Sequence, residues 1–105
     1  QSKTKMKREI FNQYADEVSK LFLMDKQKLF VKSKKRDIVD ARHMLYYLCS
    51  TRPMRLKYIS TFMLEKGYDI SHSSIIHGIK CMESKVSEDK DYLALMKNIK
   101  KQCVL

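Results

Sequence analysis

Apolar positions along this chain recur three and four residues apart, the spacing of one helical face. Ile10, Tyr14, Val18, Leu21 and Phe22 predict a first helix over about 7–24, which Asp25 and the polar Lys26-Gln27-Lys28 interrupt. Leu29, Phe30 and Val31 then make a short apolar plug. Asp37 suits the N-cap of a second helix, over about 38–50, with Ile38, Ala41, Leu45, Leu48 and Cys49 inward. Beyond Pro53, a third helix over about 55–66 turns Leu56, Ile59, Phe62 and Met63 to the core, and Gly67 suits its stop. A fourth helix over about 71–86 carries the stripe Ile75, Ile79, Met82 and Val86. Ser87-Glu88-Asp89 can cap a fifth, with Tyr92, Leu95, Met96, Ile99 and Cys103 as its buried face. Residues 1–6 precede the first stripe and read as a disordered basic arm.

The expected fold is all-α, a bundle of five to six helices. Its third and fourth helices, over about 55–66 and 71–86, form a helix-turn-helix candidate because a short Gly-containing turn joins them. Composition agrees: two glycines and one proline leave few hairpin turns. A chain of 105 residues has room for one domain with a modest core. No apolar run approaches the roughly 18 residues of a membrane span, and no signal segment opens the chain. Gln1 is no initiator, which suggests processing or a piece of something longer. Cys49, Cys81 and Cys103 are odd in number and lack C-x-x-C spacing, as expected for reduced thiols in a cytoplasmic protein.

Charge changes the picture more than composition does. The formal net charge is +10, and it is uneven: residues 26–57 carry +8 and the rest of the chain only +2. A concentrated positive field points to a polyanionic partner. A membrane surface is disfavoured, because the basic residues are not gathered on one amphipathic helix. Enzyme readings find little support. There is no glycine-rich phosphate loop, so no nucleotide cofactor is expected. His77 and Cys81 lie four apart on one helix, but two ligands without further partners at recognisable spacing read as packing residues.

Two stretches remain that suit double-stranded DNA. Lys32, Lys34, Lys35 and Arg36 in a basic loop can neutralise phosphates, and an arginine on such a loop can enter a minor groove. Ser71-His72-Ser73-Ser74 opens the fourth helix with short donors and acceptors, small enough to approach base edges. Simple capping by Ser71 or Ser73 is the plainer reading of that turn, and it is compatible with DNA contact. His77, one turn after Ser73, can touch a phosphate or sit at the edge of the core.

These stretches resemble the C-terminal DNA-binding domain of the bacterial replication initiator DnaA. Lys32-Ser33-Lys34-Lys35-Arg36 resembles that family's basic loop, and residues 38–49, which contain Ala41-Arg42, resemble the helix that follows it. Ser71-His72-Ser73-Ser74-Ile75-Ile76-His77-Gly78 is similar to the signature Asp-His-Thr-Thr-Val-x-His-Ala. The resemblance spans about residues 14–103. It implies Arg36 as the minor-groove arginine, His72, Ser73 and Ser74 as major-groove readers, and Lys57 as a phosphate contact. It also implies a role in replication initiation or its regulation. The family's ATPase module is not in these residues, and a free-standing domain of this type would suit a regulator or a phage or mobile-element protein. Two departures stand out: Ser71 replaces the family's acid, and the preceding turn is about five residues longer. No dimer helix is evident, so a monomer is expected. The rival expectation is an interaction protein that keeps the fold and docks on a protein through Tyr46, Tyr47, Tyr58 and Tyr68, read here as exposed.

Overall fold

A computed structural model describes residues 2–102, with side chains from residue 4 onward. Five α-helices fill it: α1 (Ser2–Leu21), α2 (Arg36–Thr51), α3 (Leu56–Glu65), α4 (His72–Glu88) and α5 (Lys90–Gln102). A 3-10 helix, Lys26–Phe30, sits between α1 and α2, and no strand occurs among the described residues. The molecule is all-α.

Each helix meets its neighbours through the stripe its sequence carries. Phe11, Tyr14 and Val18 of α1 are fully buried, as are Met44, Leu45 and Leu48 of α2, Ile59 and Met63 of α3, and Ile75 and Met82 of α4. Phe11 packs on Phe62 at 5.5 Å between ring centroids and on Phe30 at 6.2 Å. Burying each large apolar side chain stabilises the fold by about 1.5–3 kcal/mol, which makes this shared centre the main source of stability. The 3-10 helix takes in Leu29 and Phe30 of the apolar plug: Leu29 is fully buried, while Val31, just beyond the helix, turns outward.

Several boundaries differ from the pattern of the sequence. The helix α1 begins at Ser2, so residues 2–6 are helical rather than a disordered arm, and Gln1 lies outside the described residues. Lysine and methionine are good helix formers, and no Gly or Pro interrupts them. The same helix stops at Leu21, short of Met24, because a closing turn forms there. Leu23 N–H donates to Lys20 O at 3.1 Å and Met24 N–H to Ser19 O at 3.0 Å. That turn holds Leu23 at φ 54°, a left-handed position usually given to glycine. The end of α3 closes identically, with Gly67 at φ 90° and Tyr68 N–H donating to Met63 O at 2.9 Å.

The helix α2 starts at Arg36 after Lys35, so Asp37 is inside the first turn and is not its N-cap. There its carboxylate accepts from Ile38 N–H at 3.0 Å and faces the positive end of the helix. The helix α4 runs on through Glu88, and Asp89 alone separates it from α5, accepting from Asp91 N–H at 2.9 Å. Only Met96 and Ile99 of α5 are buried; Tyr92 is half-buried, and Leu95, expected inward, is exposed. Cys49 is buried and Cys81 half-buried, both free thiols, and Cys103 lies outside the described residues.

Candidate nucleic-acid interface

The first turn of α4 is capped by its own sequence. Ser71 is the N-cap, extended at φ −80° and ψ 158°, and its hydroxyl accepts from Ser74 N–H at 3.2 Å. The same hydroxyl donates to the Ser74 hydroxyl at 3.1 Å. Ser71 is therefore committed to the cap. Ser71 to Ser74 and His77 are exposed, while Ile75 and Gly78 are buried, so the turn stands on a fixed base with its outer side open. At about 100° per residue, His72 and Ile76 fall on the flank toward α3, and Ser74 and His77 on the flank toward α2. Ser73 lies between them, away from the core.

On the α2 flank, Arg42 joins the basic loop to this turn. Its side chain is buried, and its guanidinium donates to Val31 O at 3.2 Å and Ser33 O at 2.7 Å. The guanidinium also lies 4.8 Å from the centroid of Tyr68, in the turn that leads to Ser71. Hydrogen bonds from a charged donor contribute about 1.5–3 kcal/mol, enough to hold the loop against the turn. Between loop and helix runs a groove of about 740 Å³ bounded by Ser33, Lys34, His43, Ser73, Ser74 and His77. It continues into a second hollow of about 480 Å³, edged by Lys32, Lys34, Ser71 and Ser74. Thus Lys32 and Lys34 meet the start of α4. Lys35 does not: it borders a different hollow with Lys20, Lys28 and Asp37. Arg36 is the exposed first residue of α2, its Nε 3.6 Å from the Asp40 carboxylate.

On the α3 flank, His72 Nε2 lies 3.3 Å from the Ser60 hydroxyl. Ser60 and Thr61 both donate to Lys57 O, at 3.1 and 2.6 Å. Lys57 Nζ rests 5.2 Å from the Tyr58 centroid. His72 and Lys57 are thereby parts of one surface that crosses from α4 to α3.

Behind both flanks, α4 lies close against α2. A Cβ on Gly78 would stand 2.7 Å from His43 Cδ2 and 3.0 Å from Tyr46 Cδ2, so only glycine permits this approach. Lys85 Nζ bonds Asp40 at 2.8 Å on the same side. The His43 ring is half-buried and meets His77 edge-on at 6.0 Å between centroids. Burial lowers the His43 pKa; the Asp40 carboxylate opposes that, and the neighbouring His77, Lys85 and Arg42 side chains add to the lowering. Burial also pushes the Tyr46 phenol up. His77 Nε2 lies 3.5 Å from Cys81 Sγ, and among the described residues no three His, Cys, Asp or Glu side chains are grouped to hold a metal ion.

The tyrosines do not form the exposed set that the sequence suggested. Tyr46 is 1% exposed and Tyr47, Tyr58 and Tyr68 are half-buried, Tyr68 beneath Arg42 and Tyr58 beside Phe62 at 6.2 Å. Aromatic side chains at the ends of apolar stripes were drawn into packing that the stripes do not disclose. Arg42 is the residue sequence reasoning missed, and a signal for it existed. It lies four residues after Ile38 and three before Leu45, on the inner face of α2, where a cation must find partners. Ile76, 39% exposed beside His72 and Ser73, is a second omission; an apolar stripe of Ile75 and Ile79 gave no reason to single it out. No helix among the described residues is long and apolar enough to cross a membrane. No family model matches the chain.

Proposed function

We propose that this protein binds double-stranded DNA, with the start of α4 in the major groove and the basic loop on the adjoining backbone. The observation that carries this reading is the groove that brings Lys32 and Lys34 against the open first turn of α4. Free backbone N–H groups and the dipole make that turn attractive to phosphate, and its side chains are short. His72, Ser73 and Ser74 are the base readers, and Ile76 is placed to meet a thymine methyl. Ser71 serves as the cap that keeps the turn in shape. Arg36, at the outer end of α2, is the arginine for the minor groove: its side chain is exposed, and at 3.6 Å it is the looser of two cations on Asp40, which Lys85 holds at 2.8 Å, so it can be exchanged for DNA. In this reading α3 and α4 act as a helix-turn-helix unit, and the resemblance to the DnaA C-terminal domain supports a role in replication or its regulation. A protein-docking role loses the exposed tyrosines that favoured it.

The test is selection from a random duplex pool followed by titration across salt. If five or six phosphates are neutralised, log K falls against log salt with a slope of about −5. His72→Ala is expected to cost about 1–3 kcal/mol of discrimination at one base position, and Lys34→Gln to weaken binding to all sequences alike. A chain that enriches no duplex and binds none at low salt would refute the reading.

A further inference from the structure

We propose that α1 extends the DNA-binding surface, with Lys7 taking a phosphate beside the contact already expected of Lys57, on the side of α4 opposite the basic loop. This rests on the DNA reading above and assigns it a second backbone contact. The geometry begins at His72, which leans on Ser60 of α3, whose hydroxyl bonds the carbonyl of Lys57. Next to Lys57 stands Tyr58, and two ammonium groups converge on its ring: Lys7 Nζ at 5.0 Å from the centroid and Lys57 Nζ at 5.2 Å. A row of groups therefore leads from the first turn of α4, across α3, to α1. Lys32 and Lys34 border the other flank of the same turn. A helix end seated in a major groove has a phosphate backbone on each side, and this arrangement places two cations toward each.

The charge state of the row points the same way. Lys20, Lys26, Arg36 and Lys85 each pair with a carboxylate. Neither Lys7 nor Lys57 forms an ion pair among the described residues. The one acidic residue of α3, Glu65, is held by Arg8 through two hydrogen bonds of 3.0 and 2.9 Å. Arg8 thus occupies the one carboxylate of α3, and the aromatic contact that Lys7 and Lys57 share is the Tyr58 ring, with Lys7 also bordering a hollow beside Arg52 and Met54. Tyr58 is half-buried, and a cation over such a ring gains about 0.5–2 kcal/mol, no more than a hydrogen bond to a charged phosphate oxygen, at about 1.5–3 kcal/mol.

The test compares single variants of the full chain on one selected duplex, measuring the slope of log K against log salt. Each lost phosphate contact reduces the slope by about 0.9. Lys7→Gln and Lys57→Gln are each expected to reduce it by that amount without changing the preferred sequence, and Lys7→Arg to restore it. Lys97→Gln, on exposed α5, should leave the slope as it was. If Lys34→Gln flattens the dependence and Lys7→Gln does not, the inference falls and the DNA reading stands. An equal loss in Lys7→Gln and Lys97→Gln would also overturn it, since only diffuse charge would then be at work. Absence of duplex binding by the unaltered chain removes both.

Discussion

The two sides of α4 use the same residue types in opposite ways. Toward α2 the contact is close: Gly78 admits the His43 and Tyr46 rings, Lys85 is bonded to Asp40, and Arg42 is buried on two carbonyls and a tyrosine face. Around its first turn, serines, a histidine and lysines 32 and 34 stand open, their side chains held by little beyond the Ser71 cap and the Ser60 contact, while Arg42 holds the backbone of the loop. The difference shows how an open surface acquires definite geometry. Its own side chains need few partners, because the backbone beneath them is fixed from the other side.

The largest expected effect breaks the closed side. Gly78→Val forces side-chain atoms into the His43 and Tyr46 rings, and Tyr46 has no room to retreat, so thermal or denaturant unfolding should show a loss of about 2–3 kcal/mol. Arg42→Ala tests the link between the sides. It leaves Val31 O and Ser33 O to water and frees the loop, and a loss of about 1–2 kcal/mol is expected by the same measurement. On the proposed function, its distinguishing result is a weaker grip on duplex DNA even where the protein remains folded, because Lys32 and Lys34 no longer have a set position. A stability loss with unchanged DNA affinity would show that the loop holds its place without Arg42.

The smallest effect is one of pH. The folded His43 pKa is lowered from the ordinary value, chiefly by burial, so the folded state holds fewer protons there than the unfolded chain. Stability from this group is present above the unfolded histidine pKa of about 6.5 and is lost as pH falls below it. Melting temperature should therefore drop on acidification through that range, and His43→Leu should make the drop shallower. An equal drop in the variant would place the effect on another group.

Much of the fold was legible because a buried helical face needs apolar residues at fixed intervals. The stripe Ile75, Ile79, Met82 and Val86 located α4 to within two residues, and Gly67 marked the end of α3 because its left-handed turn favours glycine. The end of α1 was missed for the matching reason: Leu23 occupies the same left-handed position without the residue that would announce it. The site was legible in part. Small residues at a helix start and a basic loop can be read from the chain, since capping and charge are local properties. Whether Lys34 or Lys35 faces α4 cannot, because that choice follows from the rotation of one backbone segment against another.

By itself, then, the sequence determined the five helices apart from the ends of α1, a serine cap at the start of α4, the net charge of +10 and the uneven placement of its basic residues. These depend on spacing and composition, which act within a few residues. Only the tertiary structure decided that Arg42 is a buried clasp, that Tyr46 is core, that Gly78 is a contact point between helices, and that Lys7 and Lys57 both reach the Tyr58 ring. Each of those depends on which faces meet across the core, and facing partners far apart in the chain leave no periodic signal in either segment alone.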